Sequence, residues 1–213
     1  MVEPWTDQPK ILIAYPSLGS AHGVSEWFQD ALHLIRANMP SAVTTTVYGM
    51  PWAEARNQCA MMCLEKGFDY LFFLDKDVIA PADVIPRLLK HQVNIVGGIY
   101  RQKFQPYSWC AFMATKDVSG KDAKIPIAPT GDLVDVGYIG AGCLLIHRHV
   151  FEMLQFPWFK WELDVANPSG KSEDFYFCEQ ARKTGLKIWA DTSLRCGHVV
   201  TSVLTENGFE NTQ

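Results

Sequence analysis

Tyr70-Leu71-Phe72-Phe73-Leu74-Asp75-Lys76-Asp77-Val78 joins an apolar run to two carboxylates. Five apolar residues in a row fit a strand buried on both faces. In an open α/β sheet, ligands gather at the carboxyl ends of strands, and Asp75 and Asp77 stand at such an end. On a continuing strand, residues two apart point the same way, so both acids are expected to face one ligand. Two like charges at close range need a counter-charge, and a hard divalent cation supplies one. The simplest use of a cation there is to hold a phosphate-bearing molecule.

Strands and helices alternate on either side of this run. Upstream, Lys10-Ile11-Leu12-Ile13-Ala14-Tyr15-Pro16 predicts a first strand, and Ser17 to Gly23 a small-residue loop. Val24 to Asn38 predicts a helix, with Trp27, Phe28, Ala31, Leu34 and Ile35 at helical spacing. Val43 to Val47 is β-branched and predicts a second strand. Pro51 to Lys66 predicts a helix stopped by Gly67. Downstream, Pro81 to His91 predicts a short helix and Val93 to Gly98 another strand. This alternation implies parallel pairing and a doubly wound sheet.

The second half is less regular. Ser108–Ala114, Leu133–Val136, Ala141–His147, Lys187–Ala190 and Leu194–Val200 predict strands. Arg148–Gln155 and Ser172–Thr184 predict helices, the latter with Ser172 as N-cap and Gly185 as its stop. Thr115–Gly131 is polar, Phe156–Gly170 is an expected loop rich in Trp, Phe and Pro, and Thr201–Gln213 an expected loose tail. One domain of 213 residues is expected.

Net charge of −4 gives no general attraction to nucleic acid or anionic membrane. No run of about 18 apolar residues occurs, so no membrane span is expected. Glu3 and Asp7 precede any apolar core, so the N-terminus does not read as a signal peptide. The six cysteines form no CxxC pair and read as buried reduced thiols, which suits a cytoplasmic protein.

Four further features bear on the acid pair. Arg56, in Ala55-Arg56-Asn57, sits in an apolar helix, where a guanidinium could engage a nucleotide's base edge or phosphate, or an acid. Gly137-Tyr138-Ile139-Gly140-Ala141-Gly142 precedes a strand and would let a ligand approach the backbone closely. Glu173 and Asp174 open a helix after the aromatic loop, and a carboxylate there could serve as general base for an acceptor hydroxyl. His198 lies near the last strand's end and could complete a metal site begun by Asp77, a donor set suited to Mn²⁺.

Taken in order, these motifs resemble the GT-A-fold glycosyltransferases, in particular the family 2-like group and its small phage and archaeal-virus relatives. The likeness runs from Ile11-Leu12-Ile13-Ala14-Tyr15-Pro16 through the Ala55-Arg56-Asn57 helix, the DxD at Asp75-Lys76-Asp77 and Val96-Gly97-Gly98-Ile99-Tyr100. It continues through Gly140-Ala141-Gly142-Cys143-Leu144-Leu145-Ile146 and Glu173-Asp174 to Gly197-His198. The resemblance implies a mixed, mostly parallel Rossmann-like sheet flanked by helices. Residues 10–100 would bind a UDP- or GDP-sugar, and residues 101–200 would carry the acceptor and catalytic half.

By that resemblance Pro16, Ser17, Arg56, Asp75, Asp77, Gly140 and Ala141 would contact the donor. Asp75, Asp77 and His198 would hold Mn²⁺ or Mg²⁺, and Asp174 with Glu173 would be catalytic. The acceptor would be a glycan, a protein or a small molecule, and a viral protein would work in the host cytoplasm. Lys76 departs from the pattern, since many relatives carry a small or acidic residue there; its side chain is expected to point away from both acids. Trp158, Phe159 and Trp161 would close over the donor and exclude water.

Three other readings compete. A haloacid dehalogenase-like phosphatase would use Asp75 as nucleophile, but its DxD usually lies on the strand nearest the N-terminus. A sugar nucleotidyltransferase would want a basic Gly-rich loop after the first strand, and Ser17–Gly23 has no Lys or Arg. A GT-A-like protein could also bind nucleotide or glycan without turnover.

Overall fold

The computed structural model describes residues 8–17, 25–116, 118, 120, 122–164, 167–200, 202–205 and 208–211. The first half runs β1 (Ile11–Ala14), α1 (Glu26–Asn38), β2 (Val43–Thr45), α2 (Trp52–Glu65), β3 (Tyr70–Leu74), β4 (Val78–Ile79), α3 (Val84–Leu89) and β5 (Ile95–Ile99). The second adds β6 (Ala111–Lys116), β7 (Asp122–Pro126), β8 (Leu133–Val136), β9 (Tyr138–Ile139), β10 (Cys143–His147) and α4 (Arg148–Met153). It ends with β11 (Glu162–Asp164), β12 (Asn167–Lys171), α5 (Glu173–Lys183), β13 (Ile188–Arg195), β14 (Gly197–His198), β15 (Ser202–Thr205) and β16 (Gly208–Asn211).

Seven strands form the central sheet in the order β2-β1-β3-β10-β5-β13-β8. β1 pairs parallel with β2 and β3, and β5 pairs parallel with β13. β10 lies antiparallel between β3 and β5, and β8 closes one edge antiparallel to β13. The sheet is therefore mixed and mostly parallel, in a single Rossmann-like α/β domain. All five residues of β3 are buried. A strand paired along both edges and covered on both faces needs no polar alternation, which accounts for Tyr70-Leu71-Phe72-Phe73-Leu74.

The Ser25 hydroxyl caps α1, accepting from the Phe28 N–H at 3.2 Å. Phe28, Ala31 and Ile35 face the core, whereas Trp27 and Leu34 are exposed, so the apolar stripe is narrower than its spacing predicts. The expected start at Val24 and the loop from 18 to 23 lie outside the described residues. β7 falls inside the polar Thr115–Gly131 stretch and pairs antiparallel with β6. It is an edge strand whose residues 124–126 are exposed, so it carries no apolar pattern to find. β15 and β16 pair antiparallel where a loose tail is expected. The described cysteines are free and buried.

The aromatic segment departs furthest from expectation. β11 and β12 pair within it. Phe159, 1% exposed, stacks on Phe177 at 4.8 Å between centroids and meets Phe73 edge-on at 5.5 Å. The Trp158 indole N–H donates to the Phe151 carbonyl at 2.9 Å. These two rings anchor the segment in the core and do not form a cover over a ligand; Trp161, half exposed, is the one of the three at the surface. Phe159→Ala should therefore cost about 3–5 kcal/mol in urea unfolding, and Trp161→Ala about 0.5 kcal/mol or less. Equal costs would contradict this division.

Candidate functional site

β3 ends at Leu74 and the chain turns at once. The Val78 N–H donates to the Asp75 carbonyl at 2.8 Å, and the Asp75 N–H donates to the Gly142 carbonyl at 2.9 Å. This turn replaces the continuing strand expected from the sequence, so the two carboxylates take different partners. Past the turn, β4 pairs antiparallel with β14, which sets His198 opposite Val78. The Val199 N–H also donates to the Asp77 carbonyl at 2.7 Å.

This strap brings His198 Nε2 to 3.6 Å from Asp77 Oδ2. His198 Nδ1 lies 2.5 Å from the Arg101 carbonyl oxygen. A carbonyl only accepts, so a proton is assigned to Nδ1, and Nε2 is the ring nitrogen that faces Asp77. Lys103 Nζ donates to the same Asp77 oxygen at 2.7 Å. Burial alone would raise Asp77, but His198 and Lys103 outweigh it and hold the carboxyl down at about 2.

Asp75 is held by Arg56. Arg56 Nη2 donates to both Asp75 oxygens at 3.0 Å, and Nε donates to Glu173 Oε1 at 3.1 Å. Arg56 is 3% exposed, its guanidinium lies 5.0 Å from the centre of the Phe73 ring, and its Nη1 is buried without a hydrogen-bond partner. Small residues on the same helix, Ala53, Ala55, Cys59 and Ala60, are buried with it. Burial works against the guanidinium's charge, but Asp75 and Glu173 more than compensate and keep it protonated. Burial pushes Asp75 above the usual carboxylate range against the pull of Arg56. Of the partners open to Arg56 in the sequence, the structure supplies the acids.

Asp174 occupies the first turn of α5. The Ser172 hydroxyl and, at 2.8 Å, the Phe175 N–H both donate to its Oδ1. Burial first, and then the neighbouring Glu173 charge, push its carboxyl up to about 6.

A cavity of about 370 Å³ gathers Asp75, Asp77, Gly140, Asp174 and His198 from the expected set, together with Lys103 and the rings of Tyr100, Phe104 and Phe175. Pro16, Ser17, Arg56, Ala141 and Glu173 do not line it. Ser17 closes β1 against the segment after β2, its N–H donating to the Val47 carbonyl at 2.9 Å. Lys76 Nζ reaches the Ser17 hydroxyl at 3.4 Å. Ala141 is buried at 1% exposure.

At the glycines, protein atoms fill the space a Cβ would take. A Cβ on Gly142 would lie 2.6 Å from the Tyr100 hydroxyl, one on Gly140 would strike the same atom, and one on Gly137 would lie 2.5 Å from the Ala114 N. The Tyr100 hydroxyl accepts from the Gly142 N–H at 2.9 Å. A second cavity, about 650 Å³, is lined by Trp52, Glu54, Phe156, Lys160, Trp161 and Glu173 among others. Among the described residues no group of three or more His, Cys, Asp or Glu is arranged to hold a metal ion; Asp77 and His198 are the carboxylate–imidazole pair that lines the first cavity. Lys103 was missed in the sequence, although it follows β5 at the same sheet end as the acid pair.

The crystal structure of A197, from the archaeal virus STIV, matches 96% of this chain and 95% of that chain at TM-score 0.63 and 22% identity. The two proteins share a fold. No family model and no curated protein matches the sequence. Among the described residues, no helix is long and apolar enough to cross a membrane.

A carboxyl at about 6 in the fold, against about 3.9 in an unfolded chain, binds its proton more tightly when folded. Its contribution to stability is complete below about pH 4 and is lost as pH rises through about 6. Asp174→Asn should therefore raise the Tm by a few °C at about pH 7.5, with the gain vanishing near pH 4. A pH-independent Tm difference in thermal scans would contradict the burial of this charge.

Proposed function

We propose that this chain is a glycosyltransferase that moves a sugar from a nucleotide-sugar donor, a UDP- or GDP-sugar, to an acceptor hydroxyl on a glycan, protein or small molecule. The supporting observation is one cavity at the end of β3 that combines an Asp77–His198 pair with the half-buried Asp174 carboxyl, raised to about 6. The shared fold is compatible with a GT-A-like protein.

A carboxylate oxygen and an imidazole nitrogen 3.6 Å apart fit a divalent cation such as Mn²⁺ or Mg²⁺. Two protein ligands suffice where diphosphate and water supply the others. Such a cation, when bound, would offset the charge developing on the leaving diphosphate. Asp77 and His198 would hold it. Asp75 has both oxygens committed to Arg56 and fixes the turn that carries Asp77.

Asp174 is the candidate base. Both of its donors bind Oδ1, which orients the carboxylate and leaves Oδ2 to take the acceptor's proton. A carboxyl at about 6 is largely ionised near neutrality and more basic than an ordinary aspartate. Glu173, expected beside it as catalytic, neutralises Arg56 instead. Phe104 and Phe175 give the cavity apolar walls that limit water. The grip of Arg56 on both Asp75 oxygens argues against the phosphatase reading, in which that carboxylate must attack phosphorus.

Incubation with UDP-, GDP- and dTDP-sugars, Mn²⁺ and candidate acceptors should release nucleotide and form a glycoside. Binding without turnover across the panel would favour the non-catalytic reading. Asp77→Ala should abolish Mn²⁺-dependent nucleotide binding in titrations, and unchanged affinity would remove Asp77 from the site. Asp174→Asn should keep donor affinity and lose ~10²–10⁴-fold in turnover; full activity would reassign the base.

A further inference from the structure

The oxygen that a cation would take is already engaged. Lys103 Nζ sits 2.7 Å from Asp77 Oδ2, the same atom that faces His198 Nε2 at 3.6 Å. We propose that Lys103 is an internal stand-in for the divalent cation: it neutralises Asp77 in the free protein, yields that oxygen when a cation enters, and then pairs with the diphosphate of the donor. This inference rests on the proposed function and adds a residue, and a binding order, to it.

A divalent ion bonded to Oδ2 at about 2.1 Å would stand within a few ångströms of the ammonium. Repulsion between a doubly and a singly charged cation at that range is large in a partly buried site. The side chains of Lys103 and Asp77 are 19% and 36% exposed, so neither charge is fully screened by water. Both cations therefore cannot hold Oδ2 together.

The local chain lets the lysine leave without unfolding. Lys103 follows a fixed stem between β5 and β6, in which Arg101 bridges to Trp109 and the Gln102 N–H donates to the Ser108 carbonyl at 2.8 Å. The Arg101 guanidinium lies 4.1 Å from the centre of the Trp109 ring. Beyond the stem the tip is open, with Phe104 69% exposed. A flexible four-carbon side chain can swing from that anchor. The diphosphate that arrives with the cation offers the displaced ammonium a strong anion in the same cavity. Cation and diphosphate should then assist one another reciprocally, each reducing the hold of Lys103 on Asp77.

The test is Mn²⁺ binding to the full chain without donor, by electron paramagnetic resonance or calorimetry, in the wild type, Lys103→Met and Lys103→Arg. Lys103→Met should bind Mn²⁺ ~10-fold more tightly than the wild type, and Lys103→Arg should stay near the wild type. With Mn²⁺ present, the affinity of Lys103→Met for UDP or GDP should fall several-fold. Equal or weaker Mn²⁺ binding by Lys103→Met, with an unchanged near-ultraviolet dichroism spectrum, overturns the inference and leaves the cation site standing. Failure of all three proteins to bind Mn²⁺, with or without UDP or GDP, overturns both.

Discussion

A guanidinium almost shut off from water, shared by carboxylates from distant parts of the chain, fixes the geometry on which the site depends. Arg56 comes from α2, Asp75 from the end of β3 and Glu173 from the start of α5. An unpaired charge in such a place typically costs 3–5 kcal/mol, so none of the three can move alone. The consequence reaches Asp174, the next residue on α5. Locking Glu173 to Arg56 sets the start of the helix, and the Glu173 charge helps to keep the Asp174 carboxyl high.

A second constraint acts from the far end of the chain. The β4–β14 pairing and the Val199–Asp77 backbone bond strap a late segment across the turn after β3. That strap brings His198 to Asp77 and leaves its imidazole braced by the Arg101 carbonyl. Tyr100, packed against Gly140 and Gly142, meets the His198 ring edge-on at 5.1 Å. The two neighbouring aspartates thus belong to different assemblies. One is structural, clasped by Arg56 at the cavity's wall. The other opens on the cavity, around Lys103 and His198.

The sheet was legible where burial writes itself into sequence. Tyr70–Leu74, Ile11–Ala14 and the first four residues of β10, 143–146, are apolar because both of their faces are covered, and that pattern survives without any relative for comparison. The parallel pairing of the first half was legible in its strand–helix alternation, but the reversed direction of β10 was not, since its apolar run reads like that of the parallel β1 and β3. β7 was missed because an exposed edge strand carries no apolar signal. Trp158 and Phe159 were misplaced for a related reason: an aromatic residue in an irregular segment is equally compatible with a core anchor and with a ligand cover, and only packing separates them.

For the site, residue types were legible and pairings were not. Asp77 and His198 were singled out because carboxylate and imidazole are cation ligands at strand ends, yet only the β4–β14 strap explains their proximity. Lys103 was invisible because one lysine after a strand resembles any solvated charge. At Gly140 and Gly142, where the sequence predicts close approach of a ligand, the Tyr100 hydroxyl packs against the backbone.

The most direct measurement is anomalous diffraction from crystals grown with Mn²⁺ and UDP or GDP. The account requires a manganese peak in contact with Asp77, His198 and the diphosphate, with Asp75 still clasped by Arg56. A nucleotide bound with no metal at that position, or a metal ligated elsewhere, would contradict it.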